Sequence, residues 1–394
     1  MKIIKVTDLN LKDKKVLIRS DLNVPIKNGK IMCNMRIIKS LETINFVIKN
    51  EAKCVIVASH LGNPIEEKYD YNFSLTHIVN HMKKIIKYPI RLIQNYLNGF
   101  EAKEKEIIVL ENVRFNPGER KNDKNLSKKY ANLCDILVMD SFGSSHRSES
   151  STTGIIKFAP ISCIGLLFLK EIKYLKKALF NSKRPIVTIF GGSKISTKLG
   201  VIEKLSNISE NVLVGGGIAN TILFSKGHNI GKSLHDKNNI SKIKKFLYKK
   251  NIIIPKDFIV TDNINKFSSY KEKSIKEIKN EDYIVDIGKK SCECFIKIIK
   301  KAKTIFWNGP LGLIEIKQFR NGTKEIANSV IHSSAKSIIG GGETVLAMRM
   351  FNFIDRFSYI STGGGAFLSF IEKQELPVLS ELKKFKKYTN FKQN

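Results

Sequence analysis

The 394 residues carry 68 Lys+Arg against 36 Asp+Glu, a formal charge of +32, with 42% hydrophobic and 9% aromatic residues. That apolar content can form a sizeable core, which excludes a disordered chain, and the length points to two domains of roughly 150–200 residues each. No apolar run reaches the roughly 18 residues that span a bilayer, and the opening MKIIKVTDLN has neither an h-region nor a small-residue cleavage site. A cytoplasmic protein without a membrane segment is expected.

Along the chain, short β-branched runs alternate with stretches of helical period. Val16–Ile18 precedes an apolar helix stripe of Ile37, Leu41, Ile44 and Ile48. Strand-like Cys54–Val57, Ile107–Leu110 and Ile136–Val138 follow, and a helical stretch (Leu169, Ile172, Leu175, Leu179) leads to Arg184-Pro185. The second half repeats the scheme with Ile186–Phe190, Val212–Val214, Phe258–Val260, Tyr283–Ile287, Thr304–Trp307, Ser337–Ile339 and Tyr359–Ile360. Continuous apolar strands alternating with helices imply parallel sheets covered on both faces. The predicted class is α/β, with two doubly wound parallel-sheet domains joined by a hinge helix.

The charge admits two explanations. A nucleic-acid partner would need basic residues interleaved with aromatics in one stripe. The lysines are instead spread over helices and loops (Lys244, Lys245, Lys249, Lys250, Lys289, Lys290, Lys300, Lys301) in a chain rich in Lys, Asn and Ile, as AT-rich codons would give. Compositional drift is the better reading, although the field would still attract small anions. The cysteines (Cys33, Cys54, Cys134, Cys163, Cys292, Cys294) are scattered and mostly in apolar stretches, as in a reducing compartment. Neither Cys292-x-Cys294 nor His77 with His81 has the companions that a metal site needs.

In open parallel sheets, ligands gather beyond the carboxyl ends of the strands. In the first half those positions carry Arg19, Asp21, Asn23, His60, Arg114 and the run Asp140 through Arg147; in the second they carry Gly191-Gly192, Gly215-Gly216-Gly217, Gly309, Gly340-Gly341-Gly342 and Gly363-Gly364-Gly365. Cationic ends suit a small, multiply charged anion. Glycine clusters let phosphates approach backbone N–H groups at helix starts. One cluster alone is as easily a tight turn; five in one half are not. Asn220 stands where a dinucleotide fingerprint needs glycine, and Gly227-His-Asn-Ile-Gly231-Lys232-Ser233 is one residue too short for a Walker loop.

Specific motifs then appear in order. Val16-Leu-Ile-Arg-Ser-Asp21-Leu-Asn23-Val-Pro25 resembles the R-x-D-x-N-V-P opening of phosphoglycerate kinases, and Ser59-His60-Leu-Gly62-Asn63-Pro64 their S-H-L-G-R-P. Leu110-Glu-Asn-Val-Arg114-Phe is similar to L-E-N-V-R-F, Asp140-Ser-Phe-Gly-Ser-Ser-His146-Arg147 to D-A-F-G-T-A-H-R, and Gly191-Gly-Ser-Lys194-Ile-Ser-Thr-Lys198 to G-G-A-K-V-S-D-K. Trp307-Asn308-Gly-Pro310-Leu-Gly312 with Glu315, Gly340-Gly-Gly-Glu343-Thr344 and Ser361-Thr-Gly-Gly-Gly365-Ala resemble the closing motifs.

The resemblance implies a glycolytic kinase that moves a phosphoryl group between 1,3-bisphosphoglycerate and ADP, acting as a cytoplasmic monomer with Mg²⁺. It assigns residues 1–168 to phosphoglycerate, 169–183 to a hinge helix, 184–370 to the nucleotide and 371–394 to a return to the first domain. Domain closure would bring the substrates into line and exclude water. Asp21, Asn23, Arg36, His60, Asn63, Arg114 and Arg147 match phosphoglycerate-binding positions. Asp21 and Asn23 would bond the substrate hydroxyl, and His60, Arg114 and Arg147 its non-transferred phosphate. Arg36 and Lys194, with Gly342 and Gly365, match positions around the migrating phosphoryl. Gly191, Gly192, Gly215 and Gly216 would border adenine, Glu315 the ribose, and Lys198, Asn308, Gly341, Gly342, Glu343 and Thr344 the rest of the nucleotide, with Glu343 on the metal. Five positions depart from the family pattern. Asn63 stands for an arginine, Glu343 and Thr197 for aspartates, Met139 for an asparagine and Glu149 for a histidine. The rival readings are a kinase fold turned to nucleic-acid binding and, more remotely, a dehydrogenase.

Overall fold

The computed structural model describes all residues except 1–2, 194, 197, 242, 244–248, 266–268 and 386–394; Lys194, Thr197, Lys244 and Lys245 thus lie outside the described residues. The chain forms two compact units, Met1–Lys173 with Lys373–Asn394, and Tyr174–Glu372. The helix Leu166–Phe180 contains the first boundary. Among the described residues, no helix is long and apolar enough to cross a membrane.

Unit 1 contains β1 (Lys15–Arg19), a small hairpin of β2 (Ile26–Lys27) and β3 (Lys30–Ile31), then β4 (Cys54–Ala58), β5 (Ile90–Ile93), β6 (Glu106–Leu110), β7 (Ile136–Met139) and β8 (Ile161–Ile164). Apart from the hairpin, they build one parallel sheet in the order β5-β6-β4-β1-β7-β8. The four inner strands β6, β4, β1 and β7 are buried along almost their whole length because helices cover both faces. The helix Met35–Lys49 buries Ile37, Ile44 and Ile48 against Val16, Ile18, Val55 and Val57. The chain leaves β1 to one side, for β4, and later returns to its other side as β7. The carboxyl ends of β1 and β7 therefore flank a topological switch point, where a crevice opens.

Unit 2 contains β9 (Ile186–Phe190), β10 (Asn211–Val214), β11 (Ile252–Ile253), β12 (Asp257–Thr261), β13 (Lys271–Ser274), β14 (Tyr283–Ile287), β15 (Thr304–Asn308), β16 (Lys336–Gly340) and β17 (Tyr359–Ile360). Its parallel sheet runs β11-β10-β9-β15-β16-β17, with the switch point between β9 and β15. Here one expectation is corrected. Phe258–Val260 and Tyr283–Ile287 are not members of that sheet; β12 and β14 form a separate antiparallel sheet with β13 between them in sequence. Only residues 262–270 separate β12 from β13, fewer than the crossover of a dozen or more that a parallel pair needs, so these two pair antiparallel.

Candidate active site

In unit 1 side-chain hydrogen bonds tie together the loops after β1, β4 and β6 and fix the loop after β7. The Asn112 carboxamide accepts from the N–H groups of Leu61 (3.2 Å) and Arg114 (3.1 Å) and donates to the carbonyls of Leu61 (2.8 Å) and Phe73 (2.9 Å). Glu111 accepts from Ser74 Oγ at 2.7 Å and from Leu75 N–H at 2.8 Å. Ser59 Oγ accepts from Leu22 N–H at 2.9 Å, and Asn23 Oδ1 from Gly62 N–H at 2.8 Å. The glutamate and asparagine of L-E-N-V-R-F are thus braces. Asp140 is another: its Oδ1 accepts from Phe168 N–H at 3.0 Å in the first turn of the helix Leu166–Phe180.

These braces bring Asp21, Asn23, Arg36, His60, Asn63, Arg114 and Arg147 to one end of the sheet. Arg36 Nη1 donates to Asp21 Oδ1 (3.2 Å) and to the Asn23 carbonyl (2.6 Å). Arg114 Nη1 donates to the Gly62 carbonyl at 2.8 Å and touches the exposed Asn63 through Oδ1 at 3.5 Å. Arg19 points inward: it is buried, donates to Ser151 Oγ at 2.9 Å, and lies 3.4 Å from His60 Nδ1. Burial and the charges of Arg19, Arg114, Arg147 and Arg36 hold the His60 pKa well below the usual imidazole value, so the ring is neutral at pH 7. Arg114 Nε, Arg147 Nη1 and Ser20 Oγ are buried without a hydrogen-bond partner. Unpaired buried donors on guanidiniums are costly unless an anion meets them.

In unit 2 the glycine loops interlock at the switch point. Gly191 N–H donates to the Asn308 carbonyl (3.0 Å) and Gly192 N–H to the Pro310 carbonyl (2.7 Å). A Cβ on Gly191 would overlap that Pro310 oxygen, and one on Gly215 would press on Leu311 at 2.6 Å. Gly191 and Gly215 are thus glycines because two loops pass in contact. Gly192 and Gly216, with Gly217, line an apolar cavity together with Leu234, Phe258, Ile284 and Leu313, and the exposed Glu315 stands at its edge.

A second cavity, sharing Ser193 and Glu343 with the first, is lined by Lys198, Asn308, Gly341, Gly342, Thr344, Gly364 and Gly365. Helices begin there at Gly342 and Gly365, whose starts carry the positive end of the helix dipole; another begins at Gly216 beside the first cavity, where the N–H groups of Gly216 and Gly217 donate to the carbonyls of Leu311 and Gly192. Thr344 is buried and its Oγ1 accepts from Gly309 N–H at 2.6 Å; Asn308 is buried and donates to the Gly340 carbonyl at 2.8 Å. Both hold the loops. Lys198 Nζ donates to the Gly191 carbonyl at 2.7 Å; burial pushes its pKa down to about 8, against the raising effect of Glu343.

The model of the family described as phosphoglycerate kinase matches residues 6–374. This chain belongs to the phosphoglycerate kinase family. It is similar to the phosphoglycerate kinase of Baumannia cicadellinicola subsp. Homalodisca coagulata, at 52% identity over 382 residues, 97% of this chain and 98% of that protein. Among solved structures it is similar to phosphoglycerate kinase from Coxiella burnetii (40% identity, TM-score 0.87, 98% of this chain and 100% of the other). It is also similar to that of Pyrococcus horikoshii OT3 (30% identity, TM-score 0.82, 97% and 99% covered). The kinase is a phosphotransferase with a carboxyl group as acceptor, acting reversibly between 1,3-bisphosphoglycerate with ADP and 3-phosphoglycerate with ATP. Ser193, Leu234 and Leu313 also line the apolar cavity, although no motif points to them as nucleotide contacts. Leu234 and Leu313 lie in loops without local periodicity, so only the packing of the two sheets of unit 2 reveals them.

Proposed function

We propose that unit 1 binds phosphoglycerate and unit 2 the nucleotide, with the residue roles that the motif matches imply. The observation that carries this is the contrast between the two strand-end regions: unpaired buried guanidinium donors in unit 1, glycine-lined helix starts beside an apolar slot in unit 2. His60, Arg114 and Arg147 take the non-transferred phosphate, and Asp21 and Asn23 the hydroxyl. Asn63 offers that phosphate neutral donors, weaker than a guanidinium by roughly 1–2 kcal/mol. Adenine fits the apolar cavity with its ribose at Glu315, and the phosphates run over Lys198 towards Gly342 and Gly365. Arg36 and Lys194 stabilise the migrating group. In-line transfer needs the carboxylate oxygen and the phosphorus about 3–3.5 Å apart, so positioning and charge neutralisation are the protein's work.

The family reading carries Mg²⁺ with it. Among the described residues no group of three or more His, Cys, Asp or Glu could hold a metal, and Glu343 is the carboxylate at the phosphate cavity. One carboxylate suits an ion carried mainly by nucleotide phosphates and water. When bound, the ion neutralises phosphate charge. Glu343→Gln is expected to raise the Mg²⁺ concentration for half-maximal rate several-fold at fixed nucleotide; an unmoved titration would place the ligand elsewhere. The free thiols, four of the six buried, support a reducing, cytoplasmic compartment, and we take the working species to be a monomer.

The direct test is a coupled assay for acyl phosphate formed from 3-phosphoglycerate and MgATP; folded protein without turnover at millimolar substrates would overturn the assignment. A pH dependence follows from Lys198. Its pKa lies near 8 in the free protein, so its charge is present below that value and is lost as pH rises through it. The kcat/KM for ATP is expected to fall above about pH 8, and Lys198→Met to remove that limb of the profile. A limb that survives the substitution would belong to another group.

A further inference from the structure

The cationic cluster of unit 1 contains a buried carboxylate that the roles above leave unused. Glu149 Oε1 accepts from Arg114 Nη2 at 2.9 Å and stands 4.0 Å from Arg147 Nη1, while Oε2 is buried without a partner. Its backbone is fixed by the single π-helical turn Ser150–Gly154. The Glu149 N–H donates to Thr152 Oγ1 at 2.9 Å, and its carbonyl accepts from the N–H groups of Thr152 (3.0 Å) and Gly154 (3.2 Å). The carboxylate is therefore held beside Arg114 by rigid chain rather than by a flexible surface contact.

We propose that Glu149 is an internal counter-anion of the phosphate subsite. It positions Arg114 and, through its charge, restrains the affinity for phosphoglycerate. This rests on the reading that Arg114 and Arg147 receive the substrate phosphate. Four guanidiniums, Arg19, Arg36, Arg114 and Arg147, lie near enough to His60 to depress its pKa. Burying such cations is costly without an opposite charge. Asp21 meets Arg36 at 3.2 Å, and Glu149 meets Arg114. The donors left over, Arg114 Nε and Arg147 Nη1, belong to the two arginines that Glu149 faces. A phosphate dianion that settles on them becomes a like-charged neighbour of the carboxylate. In a chain of formal charge +32, such a built-in anion favours release of phosphoglycerate rather than its retention.

Glu149→Gln keeps the shape and still accepts from Arg114, but removes the charge. The expected result is a KM for 3-phosphoglycerate about tenfold lower and a similarly tighter competitive inhibition by inorganic phosphate, with no rise in kcat. Glu149→His, with a different shape, should shift both constants the same way and serves if the glutamine variant does not fold. A KM unchanged or raised in folded variants would reduce Glu149 to a structural brace and overturn the proposal. Arg147→Met, measured alongside, separates this from the underlying reading. If it raises KM strongly while the Glu149 variants do not lower theirs, only the counter-anion role fails. If it leaves KM unchanged, the phosphate is held elsewhere and both readings fall.

Discussion

Arg36→Met is expected to lower kcat about 10²–10³-fold, the loss typical when one donor to developing charge is removed, or about 2.7–4 kcal/mol. Arg36 is the second residue of the helix Met35–Lys49 and is half-buried. Its Nη1 already holds Asp21 and the Asn23 carbonyl, so the side chain is preorganised and spends little reorganisation on the transition state. The same contacts mean that the substitution loosens the loop after β1, and KM for 3-phosphoglycerate should rise several-fold as well. The two effects separate because only the kcat term reports an interaction stronger in the transition state than in the bound substrate. Arg36→Lys, which keeps the charge and loses the planar fork, should fall between. Steady-state constants for both variants, with melting temperatures to confirm folding, settle it. A large KM change at intact kcat would make Arg36 a binding residue only.

Gly342→Ala should lower kcat by about one to two orders of magnitude in a protein that melts no lower than the parent. A Cβ on Gly342 would meet no atom within 4 Å, and its backbone lies outside the positive-φ region occupied by its neighbour Gly341 at 97°. Nothing in the fold therefore requires glycine there. As a residue of the first turn of the helix Gly342–Met350, alanine should even add roughly 0.5–1 kcal/mol. The cost falls on the ligand: a methyl group stands where a phosphoryl must approach the helix-start N–H groups. Gly191→Ala is the contrasting case, since its Cβ would overlap the Pro310 carbonyl oxygen and the fold itself should suffer. Unchanged kcat and nucleotide KM in Gly342→Ala would remove Gly342 from the reaction.

Much of this architecture is local in origin and could be read from residue order. The central strands contain unbroken apolar runs, such as Val16–Ile18 and Val55–Val57, because both faces are covered. Edge and short strands were less legible. Ile90–Ile93 carries Arg91 outward, Ile161–Ile164 is interrupted by a serine, and Ile252–Ile253 is a two-residue strand in a three-isoleucine run that ends at Pro255. The antiparallel β12 and β14 look like parallel strands in isolation. Strand direction depends on the path of the intervening chain, here through β13, and that is not written in the strand.

The sequence by itself determined which residues stand at strand ends, since a residue's place relative to an apolar run is a one-dimensional fact. It therefore brought forward Asp21, His60, Arg114 and the glycine clusters, while the order of the motifs added Lys198 and the family. Only the tertiary structure decided what each does there. It turned Arg19 inward against His60, gave Asn112, Glu111, Asp140 and Thr344 bracing roles, and separated glycines demanded by chain crossing from one demanded by no neighbour. It also placed Glu149 against Arg114, a residue 35 positions away. Hydrogen bonds and Coulomb forces act over a few ångströms of space, and spacing along the chain does not encode those distances once loops from four different strands converge.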